Sequence, residues 1–264
     1  MDVSFADPSV AAFIVIPVVL VGALLWGTAT AWRRSGATTT ATGRAVMVVG
    51  ALALAWMAVT WTIADRGILR SWDRTPPPFF LLVLSIVVIS SVIAFGSLGR
   101  HLARYLPLWI LVAVQAFRLP LELAMHAMAE RGIMPIEMTY TGRNFDIVTG
   151  ITAIVVAAVL FANRTGHADR NGQHGRTGGG NGGSRGGGVR TLVLLWNLLG
   201  LGLLFNVVIV AVLATPRFRY FGDSREHLNV FVTYPPFIWL PAVMVLAALA
   251  GHLLIFRALR LQPR

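Results

Sequence analysis

The sequence contains no cysteine. Disulfides, thiolate metal sites and cysteine nucleophiles are therefore excluded, and cysteine usage carries no information on redox compartment. Lysine is missing as well, so that all 22 Lys and Arg positions are arginine. A retinal protein, which needs a lysine Schiff base, is excluded on that ground. Charge of either sign is scarce: 12% of residues are charged, about half the usual share. No stretch alternates apolar and polar residues as a membrane β-barrel strand would.

What fills the chain instead is long apolar runs. Stretches of about eighteen or more residues without charge predict transmembrane helices. Spans are expected at roughly 10–32, 45–64, 78–96, 106–129, 147–163, 191–214 and 236–257, with ends uncertain by about 3 residues. The expected fold is all-α: one polytopic membrane domain over residues 1–264, a bundle of about seven helices.

Arginine placement orients it. Arg33, Arg34, Arg44, Arg100, Arg104, Arg164, Arg170, Arg176, Arg185, Arg190, Arg257, Arg260 and Arg264 fall on one side, with Asp169 as their only acid. The other side holds nine acids, among them Asp7, Glu130, Glu137 and Asp146, against eight arginines. The positive-inside rule predicts an external N-terminus and a cytoplasmic C-terminus, in the cytoplasmic membrane of a bacterium. The formal net charge of +11 then reflects a face beside anionic lipid, and nucleic acid is not an expected partner. The first span is kept as a helix, because its leader "MDVSFADPSV" is acidic and its apolar core exceeds a signal peptide's.

The segment 164–189 is Gly-rich, polar and aperiodic, which predicts a flexible cytoplasmic loop. No Lys-Ser/Thr follows its glycines, so it is not a phosphate loop. His167 and His174 within it read as solvated side chains rather than metal ligands.

The fourth span carries "QAFRLPLELAMH", and Gln115, Arg118, Glu122 and His126 fall on one face of a helix with 3.6 residues per turn. Arg118 is expected near the bilayer centre and Glu122 about 6 Å further out, from the 1.5 Å rise. A charge at that depth costs at least ~3 kcal/mol to insert, so the stripe must face protein or water. Pro120 withholds an N–H from the Ala116 carbonyl and predicts a kink. The two charges can pair with each other or reach neighbouring helices. Depth estimates give a ladder: Asn197 with His252, Gln115 with Arg118, Glu122 with Asn206, and His126 with Asp146, with Asn144 and Asp146 capping the fifth span. Such a ladder suits a proton or ion path, while interhelical hydrogen bonding is the structural alternative, especially for the asparagines.

The loop after this span is expected to fold back over the bundle. Met125, His126 and Met128 offer thioethers and an imidazole of the kind copper(I) takes, although methionine is also a common apolar filler. No other metal site is expected. One haem cannot bridge His126 and His252, about 20 Å apart by rise, and a quinone slot is compatible but unspecific. "FGSLGRH" (95–101) lacks the strand–turn–helix setting of a hydrolase nucleophile, and no catalytic residue is assigned.

The pieces "FRLPLELAMH", "GRNFDIVTGITA", "LLWNLLG" and "PPFIWLPAVMVLAALAGHLL" resemble a group of multi-pass bacterial membrane proteins. In that group an R-x-P-x-E helix precedes a G-x-N-F-D-I segment and a late W-L-P helix with an inward histidine. The resemblance covers spans four to seven. It singles out Arg118, Pro120, Glu122, Gly142, Asn144, Phe145, Asp146, Trp196, Asn197, Trp239, Pro241 and His252, and implies no activity or cofactor. The leading expectation is proton- or small-ion-coupled translocation, with Glu122 as carrier carboxylate. A quinone- or haem-binding redox subunit and an accessory protein docking a partner membrane protein are the alternatives.

Overall fold

Caps and prolines set the helix boundaries. The computed structural model describes residues 7–173 and 182–262. Helix α1 (Pro8–Arg34) starts where the Asp7 carboxylate accepts the Ser9 N–H at 2.9 Å, with Pro8 at a position that needs no donor. Thr38 caps α2 (Thr39–Asp65) by accepting the Ala41 N–H, and Pro78 opens α3 (Pro78–Phe95). A short amphipathic helix, α4 (Ser97–Tyr105), follows where the sequence suggested only a connection; it buries Leu102 and Ala103 and exposes Arg100 and Arg104. Pro107 then starts α5 (Leu108–Val114), which runs through a tight 3₁₀ turn (Gln115–Phe117) into α6 (Arg118–Glu130). That turn is the kink expected of Pro120, whose missing N–H would have served Ala116 inside it.

Helix α7 (Ile147–Gln173) and α8 (Gly182–Leu213) both extend into the stretch expected to be a loop. Its middle, 174–181, lies outside the described residues, as do His174 and the side chain of His167. Before α9 (Leu246–Leu261) the chain makes a wide, π-type turn over Leu240–Val245 around Pro241. Among the described residues there is no strand.

Among the described residues six helices are long and apolar enough to cross a membrane. The apolar part of α7, Ile147–Asn163, is 17 residues and stands apart from those six. Val18, Val19, Leu52, Leu54, Leu84, Leu195 and Leu199 are all at least half exposed, an apolar exterior suited to lipid and not to water. Burial also ranks the helices. In the most apolar stretch of α5–α6 half the residues are buried and in that of the last helix 56%, whereas in α2 the share is 11%. The first two are central and α2 is peripheral. It packs against α1 and is joined to the wide turn by two indoles: Trp56 Nε1 donates to the Ala242 carbonyl at 2.8 Å, and Trp239 Nε1 donates to the Met57 carbonyl at 3.3 Å. Ala242 lies within the wide turn, where carbonyls lose their usual helical donors.

Two large apolar clusters divide the bundle. One gathers Phe13, Leu121, Met125, Met128, Met134, Met138, Phe237 and Met244 near the 131–146 loop. The other gathers Leu102, Leu111, Val112, Val156, Val193, Trp196 and Ile255 toward the opposite end. At that opposite end the arginine-bearing termini meet. Arg34 donates to the Tyr105 carbonyl at 3.2 Å, Arg190 to the Leu259 and Gln262 carbonyls, and Arg257 to the Ala94 and Gly96 carbonyls.

Candidate polar site inside the helix bundle

Between the two apolar clusters Gln115, Arg118, Glu122, Asn144, Asp146, Asn197 and His252 are brought together, each residue at most 5% exposed. Close backbone approach is what makes this possible. A Cβ at Gly150 would lie 2.5 Å from the Leu119 nitrogen, so only glycine lets the start of α7 rest against α6. A Cβ at Gly200 would meet His252 Cε1 at 2.7 Å and Thr149 Cγ2 at 2.8 Å, so α8 closes on α7 and α9 for the same reason. Gly251 likewise leaves room for the Gln115 amide.

Arg118 is the hub. It pairs with Asp146 at 2.6 Å, approaches the Gly200 carbonyl at 3.4 Å and donates to His252 Nε2 at 3.1 Å. A guanidinium only donates, so Nε2 must be the acceptor and the imidazole carries its proton on Nδ1. That Nδ1–H faces Asn197 Oδ1 at 2.7 Å, while Asn197 Nδ2 donates to the His252 carbonyl at 3.1 Å. With both ring nitrogens engaged, His252 has no lone pair left for a haem iron in this arrangement. Gln115 Nε2 reaches the Ala248 carbonyl at 3.4 Å, a marginal contact.

Glu122 has a different partner. Asn144 Nδ2 donates to its Oε1 at 2.7 Å and also to the Met138 carbonyl at 3.0 Å, and Asn144 Oδ1 accepts the Asp146 N–H at 2.9 Å. The Asp146 carbonyl receives the first free N–H groups of α7, from Thr149 at 3.0 Å and Gly150 at 3.3 Å. An unbroken series of contacts thus runs Glu122–Asn144–Asp146–Arg118–His252–Asn197.

The ladder expected from depth is therefore redrawn at two rungs. Asn206 does not meet Glu122; it donates to the Arg143 carbonyl at 2.6 Å, because the 131–146 loop dips into the bundle and puts Asn144 where Asn206 was expected. His126 does not meet Asp146; it turns outward to Thr141 (3.3 Å) and Glu130 (3.5 Å), since α7 begins deeper than its charge pattern suggested. The copper candidates also part company. Met125 lines the internal cleft described next and Met128 accepts the Ser9 hydroxyl at 3.4 Å, while His126 faces the loop. Among the described residues no three His, Asp or Glu are grouped as metal ligands.

Beside the cluster is a cleft of about 110 Å³, walled by α3, α6, α8 and the wide turn with α9. Its accessible walls are almost wholly apolar, including Val83, Leu204, Val208 and Met244; Arg118, Glu122, Asn144, Asp146 and Asn229 border it with their polar atoms turned away from the open space. Glu122 Oε2, Asn229 Oδ1 and Arg118 Nε are buried without a hydrogen-bond partner among the described residues. Sequence reasoning missed Thr149, Asn229 and the three packing glycines. Their only sequence signal is a small or polar residue in an apolar helix or an otherwise unremarked loop.

No family model, no curated protein and no solved structure matches this chain.

Proposed function

We propose that this is a seven-span protein of the bacterial cytoplasmic membrane that couples translocation to a proton or small cation, with Glu122 as the exchanging carboxylate. The observation that carries the reading is the inequality of two buried acids. Asp146 has an arginine, whereas Glu122 has one amide partner and one unpartnered oxygen, and its side chain borders the cleft. A carboxylate held this way has spare capacity for a cation, and intramembrane carboxylates in bundle interiors are typical of ion pathways.

An external N-terminus and a cytoplasmic C-terminus are part of the proposal. The clustering of Arg34, Arg190 and Arg257 at one end of the bundle supports it through the positive-inside rule. The 17 apolar residues of α7 reach about 26 Å at 1.5 Å per residue, near the lower limit for a span.

The test is proton flux driven by an imposed potential in proteoliposomes, read with an internal pH dye. Wild-type flux that disappears in Glu122→Gln is the expected outcome; equal flux in the two proteins sinks the reading. A quinone in the same cleft is a second reading, favoured by the almost wholly apolar walls beside Arg118. Extractable quinone in the purified protein, absent from an Arg118→Gln variant, would promote it.

A further inference from the structure

We infer that the open groove where α1 and α4 end, α5 begins and α7 passes binds an anionic glycerophospholipid. Its phosphodiester is held by Arg34 and Arg104, and its acyl chains lie along Trp109 and Leu160. The inference is independent of any role for Glu122.

The groove exists because the chain breaks there. α1 ends at Arg34, α4 ends at Tyr105, and Pro107 opens α5. The space left is about 450 Å³, well above the internal cleft and within the range of ligand pockets. Unlike that cleft, it has an accessible lining that is slightly more polar than apolar. Arg34 and Arg104 are its charged lining residues, both exposed, and Leu108, Trp109 and Leu160 are among its apolar ones.

Unspent donors are the first argument. Arg190 and Arg257 each donate to two main-chain carbonyls. Arg34 gives one N–H to the Tyr105 carbonyl, and Arg104 makes no hydrogen bond among the described residues, its guanidinium lying 5.8 Å from the Tyr105 ring. Neither has an acid partner among the described residues. A guanidinium carries five N–H donors in a fork that matches phosphate oxygens.

Covered carbonyls are the second. A helix C-terminus disfavours an anion. At the end of α4, however, Arg34 takes the Tyr105 carbonyl, and Gln262 Nε2 donates to those of Ala103 and Leu106 at 2.9 and 2.8 Å.

The apolar flank favours a lipid over a free anion. Trp109 packs edge-on against Phe161 with centroids 5.2 Å apart, and Phe161 is 50% exposed. Indoles gather where a bilayer meets water. Inorganic phosphate would leave this flank wet, whereas acyl chains cover it. Arg100, one turn before Arg104 on α4, adds positive charge that suits a net anionic head and not a choline.

The probe is dioleoylphosphatidylglycerol, titrated into the full-length protein in nonionic detergent and counted by native mass spectrometry, with dioleoylphosphatidylcholine for comparison. The first phosphatidylglycerol should bind roughly tenfold more tightly than phosphatidylcholine, and Arg34→Gln with Arg104→Gln should erase that preference. Arg44→Gln with Arg260→Gln removes the same charge from exposed positions outside the groove and should leave the preference intact. Arg104→Gln alone breaks no hydrogen bond among the described residues; it should weaken binding about threefold or more with Tm unchanged, which guards against a folding failure of the double variant. Equal affinity for the two lipids, binding indifferent to the groove arginines, or an equal loss in the control pair overturns the inference. Displacement of the lipid by millimolar inorganic phosphate overturns it too, since the site would then take a free anion.

Discussion

Asp146 and Glu122 are two acids in one bundle interior, 5% and 2% exposed, yet their circumstances are opposite. Asp146 sits at the start of α7 with an arginine at 2.6 Å and its backbone carbonyl occupied by the first turn of the helix. Glu122 projects from the middle of α6 and is held by one asparagine. A buried charge with a good partner is a structural joint, and removing either partner strands the other. A buried carboxyl group that keeps an oxygen free adds little rigidity. On the proposed function, its place in an apolar helix reflects exchange of an ion more than packing.

That contrast can be broken by measurement. The largest effect is expected from Arg118→Ala or Asp146→Ala, each leaving an unpaired charge and lowering stability by about 3–5 kcal/mol in detergent unfolding experiments. If Glu122→Ala costs as much, the distinction between joint and binding group fails. Gly200→Ala comes next, since the new methyl would press on His252 and Thr149; a loss of about 1–3 kcal/mol is expected, read as a lowered Tm. Asn197→Ala orphans the His252 Nδ1–H and should cost roughly 1–2 kcal/mol, with Asn197→Asp restoring the acceptor for that proton. Glu122→Gln sharpens the contrast most. The Asn144 contact to Oε1 is retained, so Tm should change by less than the equivalent of about 1 kcal/mol while proton flux is lost. His126→Ala, on the outward face, should lie within about 0.5 kcal/mol of wild type and leave flux intact.

Much of this was legible in residue order. Uninterrupted apolar runs gave the helices, and the cost of burying Arg118 and Glu122 pointed to an interior site. Partner choice was not legible. Whether Arg118 meets Glu122 or Asp146 depends on the rotation of α6 and on how far the 131–146 loop descends, and hydropathy encodes neither. The loop was expected to fold over the bundle; its burial of Asn144 at the Glu122 carboxyl is a tertiary result. Gly150 and Gly200 escaped attention because a glycine in an apolar run looks the same whether it faces lipid or another helix. The steric room that they leave is visible only once the helices are assembled. Helix count was the other soft point, because the apolar part of α7 is 17 residues long and its register against the bilayer cannot be read from hydropathy alone.

The attachment of α2 has an optical consequence. The wide turn before α9 offers its Ala242 carbonyl to Trp56, Trp239 returns a bond to Met57, and the rings of Trp61 and Trp239 lie with centroids 5.0 Å apart. The most exposed helix is thus joined to this turn through indoles, whose emission responds to hydrogen bonding and to neighbouring rings. Separation of α2 from the turn would alter three of the eight tryptophans together. The native fluorescence of the protein therefore carries an unlabelled reporter for the movement of its outermost helix.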